Sequence, residues 1–506
     1  MNVTGRGTGS CIAVLDVGKT NQKLLIYDDS LTVIDSSYET FQDHDVDGIQ
    51  CEGVTAIADW FQETLGVMGR RHDIGAISVT SHGGAFVCLD EEGNITLPVV
   101  SYTYDPGEEF HRRFLHVCGD ARTLQRETAT PDYPGLGCLG KGIYFAKEHF
   151  KEEFQKTRAI LNLPQYFGYV LTGEKAVEHT YLGCTTFLWN FDAMEWSPVV
   201  DALGIRDVLP ARIARPWDVL GRLSPAVARK TGLSENVRVT VGIHDSNSAL
   251  LPYLITKKDR PFVLNSTGTF CVEMHPAERV YFSDEELGKF VFYNLDAFSH
   301  PVKTALFLGG MEFDIYTGIL AGVHGGTPFP AFREDLYRGV LSDRKLFIIP
   351  GGVTGGGMFP DSEARIIEND IVHTFDEVIA GVKQPAFFGD FEQAYAVLNI
   401  SIAIETQVAM ERVGLTEGME IFIEGGFRKN DSYLALLSAM NPRSRLFLTN
   451  LDEATSFGAA ILGKCALENT SPDALGHLFE IETQEIAWRE LPEIDAYREA
   501  FLGFTG

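Results

Sequence analysis

The chain has 506 residues, more than one ordinary hydrophobic core supports, so two large domains or more are expected. It is 45% hydrophobic and 22% charged, as soluble globular proteins are, and carries a net charge of −28. That charge argues against a nucleic-acid binder, which needs a basic face, and against an anionic membrane surface, but it leaves a nucleotide substrate open, since Mg2+ and backbone N–H groups can hold a triphosphate.

The opening MNVTGRGTGS lacks the apolar core of a signal peptide, and no apolar run is long enough to cross a bilayer. The 8 cysteines are scattered without a CxxC pair, and the 13 histidines show no HxxxH pair. Reduced thiols, a cytoplasmic location and no structural transition metal are the expectation.

Cys11 to Asp16 is a short apolar strand, and Lys23 to Tyr27 is its returning partner. The tip of this hairpin carries Asp16, Gly18, Lys19 and Thr20. Glycine lets backbone N–H groups approach an anion, and an Asp beside a phosphate can hold hydrated Mg2+. An ordinary polar turn has the same composition. Val54 to Met68 has helical spacing. Ile74 to Thr80 and Phe86 to Leu89 read as strands around Ser81-His82-Gly83-Gly84, where His82 either faces a cleft or is a packing residue. In SYTYDPG, Tyr104 and Asp105 suit a sugar, but Asp-Pro-Gly is also plain turn chemistry. Leu161 to Leu171 reads as a helix after Pro164, ended by Thr172-Gly173.

The chain is organised around VGIHDSNSA, residues 241–249. A β-branched run ends at Gly242-Ile243, His244 and Asp245 follow, and a helix begins. A carboxylate at the C-terminal end of a strand is where an α/β protein places a working group, although Asp is also a good helix cap. Next, PFVLNSTGTFCVEM repeats the pattern of CIAVLDVGKTNQKLL, with Ser266 where Asp16 sits and Gly268 where Gly18 sits. This internal repeat implies a duplicated domain with a cleft between the copies and a boundary near residue 250. The glycine-rich stretch 347–365 is either a cleft-shaping loop or a surface connection. Phe391 to Val413 is a long apolar helix. The strand Glu420 to Ile423 leads to Gly425-Gly426, which could admit a flat base or a phosphate before the helix 432–440. Arg445 to Thr449 is a strand, and EATSFGAAIL, 453–462, is a helix of small residues suited to close packing. Beyond about residue 470 the chain reads as an acidic helical appendage.

Four pieces therefore occur in fixed order: DVGKTNQK, GIHDSNSA, NSTGTF, and EGGFRKN followed by EATSFGAA. Together they resemble the FGGY carbohydrate kinases of the actin-like and hexokinase-like superfamily, over roughly Cys11 to Gly463. The resemblance implies an α/β fold of two duplicated ribonuclease-H-like (actin-like ATPase) domains with a central cleft, at 1–248 on the sugar side and 249–506 on the nucleotide side. It implies Asp245 as catalytic base. Asp16, Gly18, Lys19 and Thr20 match one phosphate loop, and Ser266, Thr267, Gly268 and Thr269 match the other. Gly425, Gly426 and Asn430 match the nucleotide turn, with Glu453 and Ala454 near the base. His82, Gly83, Tyr104, Asp105 and His244 fall on the sugar side, and Asp16 would hold Mg2+ through water. Two features depart from the family: Lys19 stands where Thr is usual and could reach a phosphate directly, and the sugar-side WxDxR pattern is absent.

The implied reaction is transfer of the ATP γ-phosphate to a ketose, with a 6-deoxy ketose such as L-fuculose or L-rhamnulose first and a pentulose (xylulose, ribulose) or polyol second. The rival readings are a non-catalytic actin-like nucleotide-binding protein and a hydrolase on the same fold. The expected partner is a small-molecule sugar, with no nucleic acid and no membrane; a homodimer is left open.

Overall fold

The computed structural model describes residues 10–505 except 259, 327, 352–356 and 452. The middle of the glycine-rich stretch 347–365 and most of the N-terminal segment thus lie outside the described residues.

Two seven-stranded sheets dominate. The first has β1 (Cys11–Val17), β2 (Gln22–Tyr27), β3 (Val33–Glu39), β4 (Ile74–Ser81), β5 (Val219–Arg222), β6 (Arg238–Thr240) and β7 (Ile243–His244). Its order is β5-β6-β4-β1-β2-β3, with β7 extending the pairing to β4. The second has β8 (Phe262–Thr267), β9 (Cys271–Pro276), β10 (Val291–Leu295), β11 (Pro301–Phe307), β12 (Glu420–Gly425), β13 (Arg445–Thr449) and β14 (Thr483–Glu485). Its order is β10-β11-β9-β8-β12-β13-β14. Leaving out β10, the two orders superpose strand for strand. In each, the first strand pairs antiparallel with the next and parallel with a later one, so β1/β2/β4 corresponds to β8/β9/β12. The repeat read from two hairpins is thus a repeat of whole sheets.

The central strands are apolar on both faces because both faces are covered. From β1, Ala13, Leu15 and Val17 point to a core shared with Ile57, Phe61 and Leu65 of α1 (Val54–Gly69) and Phe167 and Leu171 of α2 (Leu163–Thr172). Ile12 and Val14 point the other way, toward α3 (Asp245–Thr256) and a helix from the far end of the chain, α7 (Ala454–Glu468). Between these two in sequence lie α4 (Gly309–His324), α5 (Phe391–Arg412) and α6 (Asp431–Met440). The α3 helix gives Leu251 and Ile255 to the first sheet's core and Leu250 and Tyr253 to the second's. The expected boundary at 248/249 therefore falls inside a helix that serves both halves.

Small residues let α3 and α7 cross closely. A Cβ on Gly458 would lie 1.9 Å from the Ser248 carbonyl oxygen, and Ser248 Oγ donates to the Thr455 carbonyl at 2.7 Å.

The helix read after Pro164 is α2, which begins at Leu163 with Pro164 in its first turn, and the strand Ala159–Asn162 leads into it. One expectation is corrected. The tail is no appendage: β14 is the last strand of the second sheet, and the helix Ile494–Leu502 buries Tyr497 and Phe501 in its main core. The β14 residues Thr-Gln-Glu are polar and exposed on an edge, so they carry no strand pattern to read.

Candidate active site

In the first sheet, β1, β4 and β7 run parallel and end together at Val17, Ser81 and His244. Their ends bring Gly18, His82 and Asp245 to one edge, the position where open parallel sheets bind ligands. The His82 backbone N–H donates to the Val17 carbonyl at 3.1 Å, tying two of these ends together.

Asp245 is the first residue of α3; the cap position is His244, in extended conformation and without a side-chain cap. The capping role that Asp245 could have had is therefore not the one it takes. Its Oδ1 accepts from the Ser246 N–H at 2.6 Å and lies 3.3 Å from His244 Nε2, while the side chain stays 30% exposed. Among the described residues every contact of this carboxylate falls on Oδ1, which leaves Oδ2 open. His244 is buried, and its burial lowers the imidazole's pKa below its ordinary value.

Asp16, on β1, is 5% exposed and accepts from Ser456 Oγ of α7 at 2.7 Å. Burial pushes its carboxyl up to about 6; Lys23 and Ser456 pull against this, and Asp245 and Glu453 add to it. Lys23 Nζ in turn pairs with Glu453 at 2.7 Å. Glu453 is four residues past the end of β13, so it links the strand ends of the second sheet to those of the first. It was expected beside the base; here it is committed to Lys23.

Lys19 does not stand free at the hairpin tip. Its ammonium donates to Asp43 Oδ1 and Oδ2 at 3.0 and 2.8 Å, to Glu52 at 2.9 Å and to Ser101 Oγ at 2.8 Å. Glu52 Oε2 lies 3.3 Å from His82 Nε2, and His82 Nδ1 faces the Gly83 carbonyl at 2.9 Å. Both ring nitrogens of His82 thus face acceptors of the protein itself. Burial alone would raise Glu52, but His82 and Lys19 bring it down to about 2. Burial alone would lower His82, but Glu52 holds it above its ordinary value.

The two sugar-side residues of SYTYDPG are placed elsewhere. The Tyr104 ring packs 5.5 Å from Phe145 against a hydrophobic core. Asp105 is exposed, accepts from the Gly107 N–H at 2.8 Å and pairs with His111 at 2.9 Å, as a turn residue does. Tyr102, two residues earlier, is the aromatic that joins this cluster: its ring lies 5.3 Å from His82 and 5.4 Å from the Lys19 ammonium. Glu52, Asp43, Ser101, Tyr102, Lys23 and Ser456 were all missed from sequence. The one available signal was Glu52, a lone carboxylate closing an apolar segment, and it looks like a helix-start acid.

The second hairpin is shorter, with Thr267 and Cys271 already paired where the first needs Val17 and Gln22. A Cβ on Gly310 would lie 1.9 Å from the Gly268 carbonyl oxygen, and one on Gly425, at φ +78°, would lie 1.8 Å from the Thr267 carbonyl oxygen. Thr267 Oγ1 donates to the Glu424 carbonyl and accepts from the Phe427 N–H at 3.0 Å, which stitches the hairpin to the 425–427 turn. Gly426 has open space around it. Asn430 caps α6 through the Tyr433 N–H and donates to Asn399 of α5 at 2.7 Å, so its side chain is occupied by structure. Ser266 and Thr269 belong to the same hairpin, as Thr20 does to the first. Two surface cavities, about 490 Å3 around Met358 and Arg412 and about 600 Å3 around Thr256 and His477, contain none of these residues.

Comparison with known proteins matches both halves. The model of the FGGY family of carbohydrate kinases, N-terminal domain, covers residues 11–252, and that of the carbohydrate kinase FGGY, C-terminal domain, covers 259–472. The chain belongs to the FGGY family of carbohydrate kinases. Within it, the rhamnulokinase of Enterococcus faecalis is 34% identical over 102 residues, 20% of each chain. The xylulose kinase of Bacillus subtilis is 23% identical over 419 residues, 80% of this chain and 78% of that one. The alignments with four rhamnulokinases span between 20% and 41% of their length. The solved carbohydrate kinase of Novosphingobium aromaticivorans shares the fold, with a TM-score of 0.78 at 23% identity over 98% of both chains. Its family and its sheets agree on two duplicated ribonuclease-H-like domains of the actin-like ATPase class. No helix among the described residues is long and apolar enough to cross a membrane.

Proposed function

We propose that this FGGY-family chain transfers the γ-phosphate of ATP to a hydroxyl of a ketose, with Asp245 as general base. The observation that carries the reading is the Asp245 carboxylate: one oxygen is fixed by Ser246 and His244, the other is open, and its charge is felt by both His82 and Asp16. Phosphoryl transfer needs little from a protein beyond positioning and charge stabilisation. The open oxygen would accept the proton of the attacking hydroxyl as its oxygen bonds to phosphorus. The two glycine hairpins would present backbone N–H groups to the phosphates.

Mg2+ fits this site. A buried carboxylate raised by burial and by two neighbouring carboxylates gains from a nearby cation, and Asp16 is such a group. Asp16 would hold the hydrated ion, which would supply neutralisation of phosphate charge when bound. The described residues contain no cluster of three His, Cys, Asp or Glu side chains that would hold a metal by itself, so the ion is expected to arrive with the nucleotide.

A 6-deoxy ketose is the first reading, on the strength of the higher identity to a rhamnulokinase. A pentulose is the second, on the much longer alignment with a xylulose kinase. The test is sugar-dependent ADP release over ketoses, aldoses and glycerol. Release that requires one ketose supports the proposal. Sugar-independent release points to a hydrolase, and silence across the panel points to a binding protein; either result sinks it.

A further inference from the structure

We infer that Lys19 is a positioning residue of the sugar side, not a phosphate ligand, and that the wall it organises selects a neutral polyhydroxyl substrate against an aldonate or uronate. The inference rests on the kinase reading and deepens it by assigning Lys19 a role and naming the groups that would exclude a charged substrate.

Three N–H groups are all that an ammonium has, and Asp43, Glu52 and Ser101 take them. Reaching a phosphate would break this set and leave Glu52 and Asp43, two neighbouring carboxylates, without their shared cation. The same set fixes Glu52, and Glu52 fixes His82 through Nε2. With Nδ1 facing the Gly83 carbonyl as well, both ring nitrogens meet acceptors, so the doubly protonated imidazolium is the form this geometry satisfies. Asp43 and Glu52 are then balanced by Lys19 and His82, and the cluster is neutral as a whole.

The cluster abuts the proposed base. A Cβ on Gly83 would lie 2.9 Å from His244 Nε2, and that nitrogen is 3.3 Å from Asp245 Oδ1. Two polar groups of this wall remain open: the Asp245 Oδ2 and the Tyr102 hydroxyl, which has no hydrogen-bond partner among the described residues. Tyr102 is clamped between His82 and Lys19, and burial with three nearby carboxylates keeps its phenol protonated. One open acceptor and one neutral hydroxyl suit sugar hydroxyls. A substrate carboxylate would meet a like charge at Asp245 and, among the described residues of this wall, no uncommitted cation, an arrangement that rejects it.

The test uses the full chain. For the unmodified protein, kcat/KM from ADP release is compared between neutral ketoses or polyols and aldonates of equal carbon number. The expected result is at least ~10²-fold preference for the neutral set, of the order that one unscreened like charge produces. An aldonate that is equal or better overturns the inference while leaving the kinase reading in place, whereas no sugar-dependent release at all removes the kinase reading itself. In Lys19→Met, sugar KM should rise at least ~10-fold with ATP KM within ~2-fold. The acid limb of sugar kcat/KM should also move to higher pH, because Glu52 loses a neighbour that holds it down. Lys19→Arg, which keeps the charge, should keep the limb in place. A raised ATP KM with unchanged sugar KM would show a phosphate ligand and end the proposal. The substrate panel on the unmodified chain stands even where a variant fails to fold.

Discussion

The two hairpins at β1/β2 and β8/β9 occupy equivalent places in sheets of equal order, yet they are built from different chemistry. The first carries charge: Asp16 at its base, Lys19 at its tip, both committed to ion pairs and hydrogen bonds. The tip of the second carries none. Ser266, Thr267, Gly268 and Thr269 are neutral, and backbone approaches at Gly310 and Gly425 leave no room even for a methyl group. Under the proposed function, one copy of the duplicated unit would manage protons, cations and the sugar. The other would offer only backbone to a phosphate. Duplication fixed the frame, and side chains then divided the labour.

Asp245→Asn tests the charged side most severely. Removing the proposed base should cost at least ~10²-fold in kcat while ADP binding by calorimetry stays unchanged. Near-normal turnover would take the base role from Asp245.

Asp16→Asn should separate stability from function. The Asp16 pKa is raised from 3.8 to about 6 in the folded chain. Its stabilising contribution is therefore fully present below pH ~4 and lost as pH rises through about 6. The Asn variant escapes that loss, so it should be more stable than the unmodified protein above pH 6, by up to ~3 kcal/mol, and no different near pH 4. Thermal unfolding across pH reads this, and activity should fall at the same time. An unchanged pH profile of stability would show that Asp16 is not strained as described.

On the uncharged side, Gly425→Ala should destabilise by at least ~2 kcal/mol, because its φ is positive and the added Cβ overlaps Thr267. Gly426→Ala, in open space, should be close to neutral for folding by denaturant titration. Equal effects at the two positions would contradict the stitched turn.

Tyr102→Phe is the mildest. It removes only a hydroxyl and keeps the ring between His82 and Lys19, so sugar KM should rise by about fivefold, the worth of one hydrogen bond near 1 kcal/mol. No change in KM would place the hydroxyl away from the substrate.

Much of the frame was legible. The strand read at 11–16 runs 11–17, the one read at 445–449 is unchanged, and the helix read at 391–413 runs 391–412. Local patterns sufficed there because a fully covered central strand is a continuous apolar run and a buried helix is a long one. The site was legible only in outline. Asp245 stood out because a strand, a turn and a helix start surround it. Tyr104 was preferred to Tyr102 because it precedes Asp105, yet the chain turns there and sends the two rings to different neighbours.

By itself, then, the amino-acid order determined the duplicated hairpins, the acid at the strand end and the family they announce, since each is a property of a short stretch. Only the tertiary structure decided that a helix from the last tenth of the chain covers the first sheet and that Ser456 bonds Asp16 across 440 positions. It also decided that Lys19 turns to Glu52 and Asp43. The physical reason is that charge pairing and desolvation depend on distance in space, and the partners of these groups come from segments that no local pattern connects.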